Sequence, residues 1–410
     1  MASNVTRLAD LYRDLHAHPE LSFAETRTAG IVADNLRRIG LDVTEGVGRT
    51  GVVGILDRGP GPTVLMRADM DALPVREETG LPYASTVTGT SADGTEVPVM
   101  HACGHDMHTT ALIGALEVLA AESDWQGKVI AVFQPAEETG AGARAMVDDG
   151  LFTRFGTPDV VLGQHVAPLP AGAIGLEIGP AFAASDALKI TLYGRGGHGS
   201  RPETTVDPIV LAASTVLRLQ TIVSREIAGT DTAVVSIGSI HAGGAANIIP
   251  DSAELKLSVR TFDAKVRDRV LGAIERIVQG EAATAGADRK PVIETLHSFP
   301  AVINDAAAGA QVRAAFGSGL EGVIVVDPGV VTGSEDVGIL AYESGAPCVY
   351  WLLGGADPAE FAGARSVPEI AARVAELPSN HSPLYAPVIS PTLEVGVRAL
   401  AVAARSWLAG

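Results

Sequence analysis

Apolar residues recur at helical spacing from the start of the chain, where Leu8, Leu11, Tyr12 and Leu15 share one face. A second helical stretch runs to about residue 39 and stops before Gly40. Short β-branched runs follow at 52–56, 63–66, 129–133 and 160–162, with helical pattern between several of them, notably over 109–121. That alternation predicts an α/β domain in which helices cover a sheet.

The pattern changes near Ala183. Leu188, Ile190 and Leu192 alternate with polar neighbours as in a half-buried strand, and Asp207-Pro208 supplies a capping carboxylate followed by proline at the first helical position. The helix it opens is expected to bury Ile209, Ala213, Val216, Gln220 and Val223. Strands at 232–240 and 253–261, a helix with Val266, Val270, Ala273 and Ile277 on one side, and a strand at 291–296 complete the order β-α-β-β-α-β. This is the order of a ferredoxin-like unit of about a hundred residues. Strands at 322–326 and 348–353 and a closing helix at 390–407 resume the first pattern. The expected organisation is a discontinuous domain, 1–182 and 298–410, with an inserted domain at 183–297.

A length of 410 residues agrees with more than one core. The formal net charge of -18 argues against nucleic acid or an anionic membrane surface as a partner, since both call for basic patches. No run approaches the roughly 20 apolar residues of a membrane span. The first twenty residues mix charged and apolar positions without a signal-type apolar block, so a cytoplasmic location is expected. Two cysteines, Cys103 and Cys348, are too few for a disulfide framework.

Five places concentrate metal-type ligands. They are MRADMDALP with Asp69 and Asp71, MHACGHDMH with His101, Cys103, His105, Asp106 and His108, FQPAEE with Glu137 and Glu138, LGQHVAP with His165, and NHSP with His381. Several follow predicted strands, where open α/β sheets place their sites. Taken singly, paired carboxylates on loops are usually solvated charge, and a lone histidine is more often a satisfied core or surface residue. Cys103 and His105 are more specific, because a thiolate and an imidazole two residues apart can reach one ion from a turn. The adjacent glutamates suggest a division of labour in which one binds metal and the other takes a proton from water.

Read together, HAHPELSFAE from residue 16, ADMDALP, HACGHD, QPAEE, GGHGS, NIIPD, GSED and NHSP make the chain resemble the amidohydrolase branch of the M20 metallopeptidase family. That branch includes hippurate hydrolases, indole-3-acetyl-amino-acid hydrolases and N-acyl-L-amino acid amidohydrolases. The resemblance implies two divalent ions per subunit (Mn, Zn, Co or Ni), with Cys103 bridging in place of the peptidase branch's aspartate. His105, Glu138, His165 and His381 would be the other ligands. Glu137 would be the general base, and Asp71 would support the site from behind the ligands. The inserted unit resembles a lid and dimerisation domain whose His198 stabilises the oxyanion. Asn247 and Arg260 resemble substrate-holding residues, and 332–336 would line the pocket. A homodimer acting on a small N-acyl amino acid is implied. Val337 after GSED, and the stretch RPETTVD at 201–207, depart from the pattern near the expected acyl or leaving-group pocket.

Other readings keep the same centre for a dipeptide or an N-carbamoyl amino acid. A further one makes Cys103 a nucleophile, which predicts indifference to chelators. A non-catalytic binding protein would be expected to have lost ligands or Glu137, and all are present.

Overall fold

The strand Thr63–Asp69 runs parallel to both of its neighbours, Lys128–Gln134 and Val160–Pro170, with Asp69 opposite Gln134 in register. Around this centre the computed structural model, which describes residues 2–408, builds a ten-stranded mixed sheet. Gly51–Asp57 lies antiparallel beside Lys128–Gln134 with Asp42–Val47 outside it, and Cys348–Ala356 runs parallel to Val160–Pro170 on the other side. The parallel strands share one carboxyl-terminal edge, and the polar loops leave from it.

The helices Ala2–Ala17, Thr26–Ile39, His105–Ala121, Ala306–Gly319 and Thr392–Leu408 bury Leu8, Val32, Leu112, Leu116, Phe316 and Leu400 in one core with the sheet. His105–Ala121 is buried along every residue from 105 to 116, which explains why its sequence is apolar on all sides rather than on one stripe. Gly114 permits this packing, because a Cβ there would stand 2.6 Å from Val397 Cγ2 and 2.8 Å from Leu8 Cδ1. These elements belong to one compact unit, Met1–Ala181 with Ile303–Val330 and Asp336–Gly410. Among the described residues, no helix is long and apolar enough to cross a membrane.

A second compact unit comprises Phe182–Val302 and Val331–Glu335. Its order is strand Ala184–Tyr193, helix Pro208–Thr221, strands Ala233–Ala242 and Ser252–Thr261, helix Ala264–Thr284 and strand Val292–Phe299. The antiparallel sheet places Ser252–Thr261 and Ala184–Tyr193 centrally, with Ala233–Ala242 and Val292–Phe299 at the edges. Both helices share a core with it through Leu211, Leu219, Val270 and Ile274 against Ile190, Leu255 and Val259. As the sequence suggests, Asp207 accepts the Ile209 N–H and caps its helix.

The buried face of that helix differs from the expected one. Leu211, Ala212, Thr215, Leu219 and Ile222 turn inward, while Ile209, Ala213, Gln220 and Val223 are exposed. The helix carries apolar residues on two faces, so spacing alone fits either. The face with two leucines and an isoleucine removes more apolar area from water. Val210 and Leu217 remain 65% and 73% exposed.

Candidate metal centre

Asp69 ends its strand, and Asp71 lies two residues further along, both buried. Across the register, Gln134 leads into Pro135-Ala136-Glu137-Glu138. Ala136 takes a left-handed φ of 49°, a conformation that costs a non-glycine residue about 1–2 kcal/mol. Asp71 accepts the N–H of Glu137 at 3.0 Å and of Glu138 at 3.1 Å, so one carboxylate fixes the turn that carries both glutamates.

Gly104 sits at φ 82°, and a Cβ there would strike Val166 Cγ1 at 2.4 Å. Glycine is therefore required between Cys103 and His105. His105 Nδ1 lies 3.4 Å from Asp71 Oδ1, and its Nε2 stands 3.7 Å from Glu138 Oε1 and 3.8 Å from Glu137 Oε2. Cys103 Sγ is 3.4 Å from His165 Nε2, and His381 Nε2 is 3.3 Å from Glu138 Oε2. Ligands about 2.0–2.3 Å from a tetrahedral ion stand roughly 3.3–3.7 Å apart, so these spacings suit donors that share a cation. Of the five groups among the described residues that could hold one, three combine these side chains: Cys103 with His105 and His165, Cys103 with Glu138 and His381, and His105 with Glu137 and Glu138.

The electrostatics fit a cation as well. Both ring nitrogens of buried His105 and Glu138 Oε1 lack hydrogen-bond partners. Burial pushes Glu138 up to about 7 and raises the Cys103 thiol, while burial lowers His165. Burial would lower His105 too, but Asp69 and Asp71 outweigh it and raise the imidazole well above its usual value. A pocket that raises Glu138 and Cys103 and also favours the charged form of buried His105 is short of positive charge.

The supporting bonds set the donor directions. His165 Nδ1–H donates to the Val166 carbonyl at 2.8 Å, which turns the Nε2 lone pair toward Cys103. His108 Nε2 accepts the Val166 N–H at 2.7 Å, so its proton lies on Nδ1 and faces Asp69 Oδ1 at 2.5 Å. With both nitrogens engaged, His108 holds the frame. His101 is buried with neither ring nitrogen hydrogen-bonded and belongs to none of the three groups. His381, at φ 72°, is held by its N–H to the Ala102 carbonyl, and Asn380 donates to the Cys103 and Val166 carbonyls. Beneath them Arg67 reaches Asp69 at 2.8 Å, Asp336 at 2.9 Å, Gln134 at 3.0 Å and the Tyr350 hydroxyl at 3.2 Å. Burial alone would raise Asp69, but Arg67, His105 and His108 hold it well below the usual carboxylate range. Sequence reading gave Arg67 and Asp336 no individual roles, although each lies inside a quoted motif.

His198, Asn247 and Arg260 all lie in the second unit. Gly197–His198 pairs with Ile248–Ile249, and the Gly199 N–H donates to the Asn247 carbonyl at 2.8 Å, so His198 and Asn247 are neighbours. The Ser200 N–H donates to His198 Nδ1 at 3.1 Å, which leaves the ring proton on Nε2. Arg260 is half-buried, donates to Ser334 Oγ at 2.5 Å and sits close enough to His297 to help lower that imidazole, after burial itself. Backbone bonds from Ala183 to the Val331 and Gly333 carbonyls hold the 331–335 segment in this unit.

Thiolate, imidazole and carboxylate donors at the carboxyl edge of an α/β sheet define the class as a metallohydrolase-type site. Residues 65–378 match the model for peptidase family M20/M25/M40. The chain is 45% identical to the hippurate hydrolase of Campylobacter jejuni over 65% of its length and 68% of the relative's. It is 38% identical to the N-acetyl-L-cysteine deacetylase of Bacillus subtilis, covering 80% and 76%. The structure of Bacillus subtilis YxeP, described as a dinuclear metal binding peptidase from the M20 family, superposes with a TM-score of 0.79 at 31% identity, covering 100% of this chain and 99% of that one. The chain belongs to the M20 peptidase family, in its amidohydrolase branch, and is a metal-dependent amidohydrolase.

Proposed function

We propose that this protein hydrolyses the amide bond of N-acyl amino acids, with Glu137 as general base and then general acid. The observation that carries the reading is the Glu137-Glu138 turn, which Asp71 grips by two N–H groups beside His105. Cys103, His105, Glu138, His165 and His381 would hold two divalent ions; Mn, Zn, Co and Ni all accept such mixed donors. When bound, the ions supply Lewis acidity toward water and the scissile carbonyl. Glu137 takes the proton of the attacking water as the C–O bond forms. It returns that proton to the leaving nitrogen as the C–N bond breaks.

His198, with its proton on Nε2, donates to the developing oxyanion. Asn247 holds substrate polar groups, and Arg260 pairs with the amino acid carboxylate. Two of the relatives are named for releasing acyl groups from amino acids, which favours this substrate class. On this reading the unit around 183–297 is a ferredoxin-like lid. Its exposed Val210 and Leu217, with Val234 and Ile240 on the edge strand Ala233–Ala242, would be covered in a homodimer. A reducing cytoplasm suits a chain with two cysteines, Cys103 and Cys348, both buried.

The test is amino acid release from a panel of N-acyl amino acids, an N-carbamoyl amino acid and dipeptides, after chelation and after metal is restored. Activity should vanish on chelation and return with metal, and Glu137→Gln should lower kcat by about 10³-fold or more. Activity that survives chelation, or a Glu137→Gln protein equal to wild type, would overturn the assignment. Cleavage of dipeptides alone would overturn the substrate class and leave the chemistry standing.

A further inference from the structure

Three polar side chains in the stretch from His16 to Glu25, none used by any step above, each reach a different loop of the metal centre. His16 Nδ1 meets Asp106, the residue after His105, at 2.7 Å. The Ser22 hydroxyl donates to Asp71 Oδ2 at 2.6 Å. Glu25, fully buried, accepts the Ala136 N–H on Oε1 at 2.9 Å, and the same oxygen takes the Phe23 N–H at 2.9 Å. Its other oxygen takes the Thr50 hydroxyl. The backbone is tied in as well, since the Ala72 N–H donates to the Glu20 carbonyl at 2.8 Å and Leu21 bridges Ala72 in parallel.

The consequence falls on one turn. The N–H groups of Ala136, Glu137 and Glu138 are consecutive, and they end on Glu25, Asp71 and Asp71 respectively. Ala136 is left-handed, a conformation that persists only where the surroundings over-determine it. Glu25 is the acceptor that faces it, and Ser22 steadies the Asp71 carboxylate that takes the other two. Without Glu25 the Ala136 peptide is free to relax, and the next residue is Glu137.

We propose that residues 16–25 form a brace for the catalytic turn, with Glu25 as the positioning residue that sets the direction of Glu137. This rests on the reading of Glu137 as general base. A displacement of about 1 Å in a reacting group costs on the order of 100-fold in rate. Glu25→Ala should therefore lower kcat by about 10- to 100-fold, with KM nearly unchanged. Glu25→Gln keeps an acceptor oxygen for Phe23 and Ala136 and an amide that can donate to Thr50, so it should recover most of the loss.

The measurement is kcat and KM of the full chain stripped by chelator and reloaded with Co²⁺, together with the thermal midpoint and the visible spectrum of the cobalt protein. That spectrum reads the coordination of the Glu138 end of the turn without turnover. The expected result is a kcat loss and a spectral change in Glu25→Ala that Glu25→Gln restores. Unchanged kcat and spectrum per folded, loaded molecule in Glu25→Ala, with only the thermal midpoint lowered, would overturn the proposal, as would a Glu25→Gln protein no better than alanine. Should Glu25→Ala fail to fold, Ser22→Ala decides. It removes one hydroxyl, and an unaltered kcat and spectrum in it overturn the brace. If the wild type releases no amino acid from any substrate while the cobalt spectrum changes in Glu25→Ala and recovers in Glu25→Gln, the functional reading fails and the brace stands.

Discussion

The polar residues of the metal centre in the first unit are fixed from several sides, whereas His198 in the second is held from one. Arg67, Asp69, Asp71, His105 and His108 are all buried, and each makes contacts that run to residues far away in the chain. His198 and Asn247 are exposed, and the His198 ring meets Ser200, two residues on. Buried charge is tolerated only when paired and hydrogen-bonded, so the first arrangement commits its residues to one geometry. The second leaves a donor that can adjust to what it meets. A centre that must present several donors to cations needs the former, and a donor that acts only as charge develops can use the latter.

Substitutions that separate stability from rate test the contrast. Arg67→Met would leave Asp69 and Asp336 buried without their shared cation, at a cost of about 3–5 kcal/mol. Chemical denaturation should show a lowered midpoint, and metal binding should weaken with it, because Asp69 would lose the charge that chiefly keeps it ionised. Equal stability in Arg67→Met and wild type would mean that the first unit is not so tightly specified. His198→Ala removes an exposed ring, so the denaturation midpoint and metal content should stay as in wild type. At saturating substrate kcat should fall by about 100-fold. A fall in stability without a fall in kcat would reverse the roles assigned to the two regions.

How much of this was legible in the sequence follows the same division. HACGHD and QPAEE could be read because thiol, imidazole and paired carboxylates were crowded beside predicted strand ends, and the structure gathers Cys103, His105, Glu137, Glu138, His165 and His381 in one unit. The strand-helix-strand-strand-helix-strand order of the second unit was legible because alternation at Leu188, Ile190 and Leu192, the Asp207-Pro208 cap and the helical spacing of Val266, Val270, Ala273 and Ile277 mark its elements. The inward face of Pro208–Thr221 was not, since two apolar faces compete on it. Nor were His16, Glu25 and Arg67 given roles. Their partners Asp106, Ala136 and Asp336 lie 90, 111 and 269 residues away, and no local spacing encodes a bond of that separation. What marked them was only their place inside recurring motifs.

The smallest expected effect concerns the tightness of the first unit at its N-terminal helix. His16 is buried between Asp106 at 2.7 Å and Glu77 at 3.0 Å, with Tyr12 and Tyr83 packed on its ring and His101 beyond Asp106. Burial alone would lower the imidazole, but the two carboxylates outweigh it and raise it from 6.5 to about 10. The charged form is therefore favoured by folding. Its contribution is fully present below the unfolded value near 6.5 and is lost as pH rises through about 10. Thermal midpoints of the wild type should decline by a few degrees between pH 7 and 10. Those of His16→Gln, lower at neutral pH because two buried carboxylates have lost their cation, should decline less over the same window. Parallel decline in the two proteins would show that His16 is not held as an imidazolium, and that this corner of the first unit is no more constrained than the exposed histidine of the second.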